Sequence, residues 1–163
     1  MPAFFVLEER MTSELPIRAA LPTEAEAIRD LVRAAYAKWV PLIGREPRPM
    51  QADYVQALLV HRFDVIGPEG SPLALIETKD RGDHLWIENI AVAPERQGQG
   101  LGHRLLAHAE ALARQLALPE LKLLLNKKFE ANLRLYRSVG FEVEREEPFL
   151  DGITVYMRRR LPG

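Results

Sequence analysis

Cysteine is absent from the 163-residue chain, which excludes disulfides, thiolate metal sites and a cysteine nucleophile. No apolar run approaches the roughly 18 residues that a membrane-spanning helix needs. Neither sign of charge dominates, since the formal net charge is −1. This balance argues against general binding to nucleic acid, where phosphate contacts supply much of the affinity. We therefore expect a cytoplasmic protein that binds neither membranes nor nucleic acid.

What is present is an ordinary globular composition, with 47% hydrophobic and 28% charged residues. We expect residues 1–163 to form a single domain with its own core. Residues 1–14 are interpreted as an N-terminal extension, because Met11 is a plausible natural start. The apolar run at residues 4–7 lacks the preceding basic residues of a secretory signal. We expect the extension to pack on the fold or on a neighbouring subunit.

The most informative stretch is a predicted strand, a glycine-rich turn and a predicted helix. The strand, residues 86–92, is apolar and rich in β-branched side chains. After Pro94 the turn spans residues 97–102, and apolar residues then recur at helical spacing: Leu101, Leu105, Leu106, Ala109, Leu112, Ala113 and Leu116. Glycines let a backbone approach a ligand closely, and unpaired N–H groups at a helix start attract anions. The stretch therefore predicts a phosphate site.

Two common kinds of phosphate-binding loop do not fit these residues. A nucleotide P-loop ends in Gly-Lys-Ser/Thr, whereas Gly102 is followed by His103 and Arg104. A dinucleotide-binding loop would need a third glycine at His103 and an acidic residue after the next strand, which here ends in Asn126. Both interpretations therefore fail.

The turn instead resembles motif A of the GNAT superfamily of N-acetyltransferases, R/Q-x-x-G-x-G/A. Gln97, Gly100 and Gly102 occupy its fixed positions. Residues 132–141 are similar to a second family signature, N-x-x-L-Y-x-x-x-G-F. The two motifs stand in the family's order and at its separation, and the resemblance covers roughly residues 15–160.

The predicted element order is β-α-α-β-β-β-α-β-α-β-β, an α/β fold (α+β, with a mixed sheet) that carries helices on both faces. Thr23 and Glu26 form a predicted capping box that opens a helix continuing to about Trp39. A second helix is predicted over residues 50–60, with these side chains inward: Tyr54, Val55, Leu58 and Leu59. Gly140 is predicted to end the helix of the second motif.

The resemblance implies acetyl-CoA as the co-substrate. Its pyrophosphate would lie on the backbone N–H groups of Gln97, Gly98, Gln99, Gly100, Leu101 and Gly102. In the family the central strand and the next one splay apart, and the pantetheine arm inserts between them as a pseudo-strand. That insertion would use main-chain groups of Ile90, Ala91 and Val92. Asn132 would reach the cofactor from the facing helix, although the commonest family pattern places this asparagine at the position of Phe129.

The resemblance also assigns catalytic roles. Tyr136 corresponds to the general acid that protonates the departing thiolate, and a phenol suits that donor role; a core tyrosine is the alternative. Glu88 is the candidate base for the acceptor ammonium, directly or through water, because a buried carboxylate is a stronger base. An ion pair with an arginine is the alternative for Glu88, and His84 is a weaker candidate base.

The predicted reaction is direct attack of a primary amine of a small molecule or peptide on acetyl-CoA in a ternary complex. No serine lies in a G-x-S-x-G elbow. The resemblance implies acceptor recognition by the helix–loop–helix through Trp39, Arg45, Glu46, Met50 and Tyr54, although Trp39 and Met50 fit a core role equally well.

No metal is expected, because His61, His103 and His108 lack ligand spacing. A homodimer is plausible from family habit. Two other functions stay open: a non-catalytic module that senses acyl-CoA, and the transfer of a different acyl group.

Overall fold

The computed structural model describes residues 15–163. Its seven strands form one mixed sheet in the order β1-β2-β3-β4-β5-β7-β6. The strands are β1 Ile17–Ala19, β2 Arg62–Ile66, β3 Ala74–Asp80, β4 Leu85–Val92, β5 Glu120–Asn126, β6 Glu142–Phe149 and β7 Gly152–Arg160. The helices are α1 Ala25–Tyr36, α2 Val40–Ile43, α3 Tyr54–Val60, α4 Leu101–Gln115 and α5 Glu130–Ser138. The predicted α/β class is confirmed, while the predicted extension at residues 1–14 lies outside the described residues.

A separate hydrophobic core covers each face of the sheet. The larger core contains the apolar side of α4, with Leu101, Leu105 and Leu106 all at most 1% exposed. The smaller core holds the apolar side of α1, including Ile28 and Val32, against β2 and β3. Helices therefore lie on both faces, which confirms the predicted layering.

The contact between β4 and β5 is the only parallel pairing in the described sheet, and it is short. It joins Leu85 to Leu121 and Trp86 to Lys122, although β4 continues to Val92 and β5 to Asn126. On their other edges the strands stay paired, β4 with β3 and β5 with β7. The two strands therefore diverge after Trp86 and leave a wedge-shaped gap, which we call the wedge.

A β-bulge lies in β4 at the point where the wedge opens. Glu77 pairs with Asn89 and Thr78 pairs with Ile87, so that Glu88 is an extra residue. The extra residue shifts the alternation of side chains along the strand. Ile87 and Ile90 consequently both pack toward the larger core, whereas Asn89 is buried on the opposite face.

The start of α1 differs from the predicted capping box. A 3-10 turn over Pro22–Glu24 precedes the helix, and Thr23 lies inside that turn. Glu24 takes the capping role, because its carboxylate accepts a hydrogen bond from the Leu21 N–H at 2.8 Å. Arg18 donates two further bonds to the same carboxylate at 2.7 and 2.9 Å. The prediction failed because Pro22 starts the turn one residue before Thr23.

The helix predicted over residues 50–60 is two pieces. A 3-10 turn covers Arg48–Gln51, and α3 begins at Tyr54 with Asp53 as its N-cap. Tyr54 is buried as predicted, but Val55 is 67% and Leu59 is 73% exposed. Those two inward assignments are wrong, since the break before Asp53 rotates the helix relative to the predicted stripe. Leu116, predicted on the apolar stripe of α4, is likewise 44% exposed because the helix ends before it.

The chain contains no membrane-spanning candidate in its described part, since none of the helices there is both long and apolar enough. Gly140 has a φ of +97° directly after α5 and Val139, which confirms it as the residue that ends that helix.

Candidate functional site

A cavity of about 490 Å³ lies where the wedge meets the glycine-rich turn. Its walls come from α1 and the following turn, from the end of β4, from the turn itself and from α5. Of the residues predicted to bind the cofactor, the cavity is lined by Ile90, Ala91, Val92, Gln97, Gly98, Gly100, Leu101, Gly102 and Asn132. Tyr136 and Trp39 also line it, whereas Gln99 does not. Sequence motifs more than thirty residues apart therefore meet at one cavity.

The glycine turn has a backbone that favours glycine and an open surface. Gly98 has φ +79° and Gly100 has φ +83°, in the left-handed region that other residues avoid. A Cβ at either position would meet nothing within 4 Å, so that the backbone there is open to a ligand. At Gly102 a Cβ would lie 3.3 Å from Leu135 Cδ2, and this glycine therefore lets α4 pack closely on α5.

The Gln97 side chain fixes the turn to the strand before it. Its Nε2 donates to the Val92 carbonyl oxygen at 3.1 Å, and its Oε1 accepts from Lys38 Nζ at 2.9 Å. Lys38 lies 4.9 Å from the centroid of the Trp39 ring. A cationic side chain is thereby held at the mouth of the cavity beside the start of α4, and both features favour an anionic ligand.

Tyr136 is 8% exposed and packs beside Phe141, with the ring centroids 5.7 Å apart. Burial raises the pKa of Tyr136 to about 12. Its phenol therefore stays protonated at neutral and moderately alkaline pH. In the cavity wall this side chain can donate a proton and cannot serve as a base.

A hydrogen-bonded group of polar side chains, which the sequence did not reveal, leads from Tyr36 in the cavity wall to the buried Asn89 and Tyr54. Tyr36 donates to Asn89 Oδ1 at 2.8 Å, and Asn89 Nδ2 donates to the Tyr54 hydroxyl at 3.2 Å. Tyr54 in turn donates to the Pro49 carbonyl oxygen at 2.6 Å. Burial raises the pKa of Tyr36 well above its usual value. The network ties α1 and α3 to β4 just beyond its bulge. A polar Asn89 inside an apolar strand was the sequence signal for it.

Glu88 is exposed, which removes the burial on which its predicted role as base was argued. It accepts a hydrogen bond from Trp86 Nε1 at 2.6 Å; its partner is an indole rather than the arginine of the alternative interpretation. The buried carboxylate of this face is Glu77, 4% exposed, which lies 2.6 Å from His61 Nδ1. Burial raises the pKa of Glu77, against the opposing effect of His61.

The residues predicted to recognise the acceptor do not share one cavity. Trp39 stacks on Phe129 with centroids 4.5 Å apart. Glu46 pairs with Arg33 at 3.0 Å, while Met50 and Tyr54 are buried and line a second cavity between α1 and α3. His84, the weaker candidate base, lies 2.6 Å from Asp83 in the turn before β4.

Arg45 reaches the hairpin that joins β6 to β7. Its guanidinium carbon is 5.5 Å from the centroid of the Phe149 ring. Its Nε is shielded from solvent and has no hydrogen-bond partner. Within residues 15–163, no group of three or more His, Asp or Glu residues could hold a metal ion.

Comparison with known proteins identifies the family. A sequence model of the Acetyltransferase (GNAT) family matches residues 26–141. The fold is similar to the PaiA N-acetyltransferase of Thermoplasma acidophilum in complex with coenzyme A, at 16% identity over 91% of this chain and 99% of that one, with a TM-score of 0.77.

Two further solved structures show the same fold. The ribosomal-protein-S18-alanine N-acetyltransferase of Escherichia coli is 22% identical over 91% of this chain and 96% of that one, with a TM-score of 0.73. Ard1 of Thermoplasma volcanium is 18% identical over 91% and 98%, with a TM-score of 0.70. Comparison with curated proteins gives no match. The family model spans most of the chain and includes both motifs up to Phe141, so the protein belongs to the GNAT family of acetyltransferases.

Proposed function

We propose that the protein transfers the acetyl group of acetyl-CoA to a primary amine of a small molecule or peptide, by direct attack in a ternary complex. The single observation that carries this proposal is the wedge, which opens beside the glycine turn and has Tyr136 in the wall of the same cavity. An acyl-CoA sensor needs the turn and the wedge, but it does not need a buried proton donor at their junction.

The residues present fit coenzyme A. The open backbone at Gly98 and Gly100, with Lys38 nearby, suits a pyrophosphate. Past Trp86 the edge of β4 that faces the wedge lacks a strand partner, so its main-chain groups can pair with an extended pantetheine arm. When bound, acetyl-CoA supplies an activated thioester, and an N–H of residues 90–92 is suited to stabilise negative charge on its carbonyl oxygen. Such a contribution is commonly worth about 3 kcal/mol.

The chain's own side chains then handle protons. Tyr136 holds the proton that the departing thiolate takes up, and its buried phenol keeps that proton at neutral pH. Glu88 accepts the proton that the acceptor ammonium loses. Since Glu88 is exposed at the bulge, this transfer runs through water. Asn89 and Tyr36 hold the strand and α1 in register on either side of the site.

Two measurements on the purified full chain test the proposal. Calorimetry measures the binding of acetyl-CoA, and thiol release is followed with amines, amino acids, peptides and hydroxyl compounds. The proposal expects binding together with amine-dependent thiol release and an acetylated amine detected by mass spectrometry. Binding with no turnover would favour the sensing module. Faster release from a longer acyl-CoA, or with a hydroxyl acceptor, would favour a different acyl transfer. No binding at all would reject all of these functions.

A further inference from the structure

We propose that Arg45 binds a carboxylate of the acceptor, so that the substrate class is amines that also carry a carboxylate, such as amino acids and short peptides. This inference rests on the proposed N-acetyltransferase function and names the acceptor for the same site. It begins from the surroundings of one arginine.

Arg45 has a cationic side chain whose charge the described residues leave without a counterion. The adjacent carboxylate, Glu46, is engaged by Arg33 at 3.0 and 3.4 Å. The contact that Arg45 does make is with the face of Phe149, at 5.5 Å. A shielded donor without a hydrogen-bond partner is destabilising, and native structures retain few such groups. A bound carboxylate would supply the counterion that the Arg45 guanidinium lacks.

The segment before Arg45 is connected to the cavity through Trp39, Phe129 and Ile43. Trp39 lines the cavity and stacks on Phe129, which directly precedes α5. Ile43 is buried in the same core as Phe129 and Tyr136. Two residues further on, Arg45 meets Phe149 of the β6–β7 hairpin. The chain therefore passes from the cavity wall to the guanidinium within seven residues.

The β6–β7 hairpin, which carries Phe149, lies beside the strand β5 that borders the wedge. The β6–β7 hairpin returns beside the end of β5, where the Lys127 N–H donates to the Ile153 carbonyl oxygen at 2.9 Å. A Cβ at Gly152 would lie 3.5 Å from Asn126 Nδ2. Phe149 and Arg45 thus stand at the end of the strand that forms the far wall of the wedge. Arg45 is not among the residues that line the cavity, so an acceptor whose amine lies in the cavity must extend past Trp39 to reach the guanidinium.

The chemistry of this arrangement selects a carboxylate. A guanidinium offers parallel N–H donors that match the two oxygens of a carboxylate, and charge-assisted bonds of this kind are the stronger ones. Phe149, whose ring centroid is 5.5 Å from the guanidinium carbon, attracts the cation. Trp39, which lines the cavity, supplies an apolar surface for the part of the acceptor between its amine and its carboxylate.

The test compares acceptor pairs that share one amine and differ in the carboxylate: free amino acids and dipeptides against their carboxamides, with every rate and affinity expressed per unprotonated amine, because a neighbouring carboxylate changes the amine pKa. With acetyl-CoA saturating, kcat/KM is measured for the wild type, Arg45→Ala, Arg45→Lys and the control Arg48→Ala, which alters an exposed arginine of the next turn. We expect the wild type to prefer carboxylates by at least about 10-fold. Arg45→Ala should lose about 10- to 100-fold on carboxylates and less than about 3-fold on carboxamides. Arg45→Lys should restore part of the loss, and Arg48→Ala should change neither.

Titration of the same pairs into CoA-saturated protein reads the preference as binding, even where turnover is slow. Equal kcat/KM and equal affinity for carboxylates and carboxamides in the wild type would overturn the inference, as would an equal loss on both in Arg45→Ala. Acetyl-CoA binding and carboxamide turnover distinguish a failure of the carboxylate role of Arg45 from a failure of the proposed acetyltransferase function. If both are intact and Arg45→Ala is without selective effect, only the carboxylate role fails. If the wild type acetylates no amine, the proposed function fails as well.

Discussion

At the scale of single residues, the acid role of Tyr136 gives the first prediction. Replacing Tyr136 with Phe removes the hydroxyl and keeps the ring packing on Phe141. We expect kcat to fall about 100-fold or more, since a positioned general acid is worth that much, while the affinity for acetyl-CoA stays within about 2-fold. Steady-state kinetics and calorimetry measure the two quantities.

The matched control for that variant is Tyr156→Phe. It removes a hydroxyl from β7, where the ring packs under Arg145 at 3.8 Å and does not line the cavity. Unchanged kcat in Tyr136→Phe would reject the acid role. An equal loss in both variants would point to general damage instead.

Two carboxylates near the bulge compete for the role of base, and matched variants separate them. We expect Glu88→Gln to lower kcat/KM about 100-fold at neutral pH. Glu77→Gln should lower it less than about 3-fold, because the Glu77 carboxylate is buried and engaged by His61 Nδ1. The reverse pattern, with the large loss only in Glu77→Gln, would transfer the role to Glu77. Exposed Glu95 supplies a neutral control as Glu95→Gln.

At the level of residues, the motifs placed together a set of positions that the structure brings to one cavity, while their roles stay predictions. The glycine positions, Ile90 to Val92, Asn132 and Tyr136 all line the cavity, because a local motif determines local geometry. Prediction from the sequence missed Tyr36, Asn89 and Glu77. Their partners lie on separate elements, and no local pattern reports a contact between positions 36 and 89. The sequence-based prediction also took Glu88 to be buried, because the alternation of side chains along a strand does not reveal a bulge.

At the scale of elements, the glycine turn can be tested with a matched pair of glycines. Gly100 and Gly82 have φ of +83° and +89°, and a Cβ at either would meet nothing within 4 Å. Alanine at each position should therefore cost a similar amount of stability, about 1–2 kcal/mol. Only Gly100→Ala should weaken acetyl-CoA binding, by at least about 10-fold, because its Cβ would project into the ligand's space. Calorimetry and urea denaturation check both; equal acetyl-CoA affinity in the two variants would contradict the proposed pyrophosphate site.

The Glu24 carboxylate and its donors Arg18, Leu21 and Gly70, which we call the brace, give a prediction about pH. The Arg18 guanidinium, followed by backbone N–H donors of Leu21 and Gly70, lowers the pKa of Glu24 to about 2. A folded-state pKa below the unfolded one contributes stability above the unfolded pKa, and that stability is lost as pH falls from about 4.5 toward 2. We expect Glu24→Gln to lower the free energy of unfolding by about 2–3 kcal/mol at pH 7.

The same variant should also show a flatter pH dependence of stability between pH 5 and 2 than the wild type, measured by urea denaturation. Glu26→Gln, which alters an exposed acid two residues later in the first turn of α1, is the control. If Glu24→Gln lost stability with falling pH as steeply as the wild type, the brace would not be the source of this dependence.

Most elements were predictable because their periodicity is strong. The apolar stripe of α4, apart from Leu116, and the strand β4 lie where the pattern placed them. The errors cluster between residues 22 and 60, where prolines and short 3-10 turns break the period. A break of two residues before α3 is enough to turn Val55 and Leu59 from the predicted core toward solvent.

At the scale of the whole molecule, the wedge divides one sheet into two halves joined by only two residue pairs. We expect the amides of β4 past Trp86 that do not bond to β3 to exchange with solvent quickly in the free protein. Acetyl-CoA should slow them by at least about 10-fold if it pairs with this edge. Amides of residues 64–66 in β2, which pair with both β1 and β3, should change little. Hydrogen exchange followed by mass spectrometry measures both, and unchanged exchange at residues 88–92 would argue against insertion at the wedge.

The fold class followed from the sequence, whereas the acceptor region did not, because it is assembled from two distant segments. Arg45 and Phe149 are separated by more than one hundred positions and meet only after the sheet has formed. A homodimer stays a prediction, and light scattering on the full chain measures it directly.

The extra residue at the β4 bulge limits where insertions and deletions can occur in this chain. Removing any one residue between Leu85 and Asn89 would restore a regular pleat and exchange inside for outside along part of the strand. Insertions and deletions are therefore tolerated in the exposed β3–β4 turn at residues 81–83 but not a few positions later. We therefore expect the number of residues in β4 to be fixed, whereas the turn before it can vary in length.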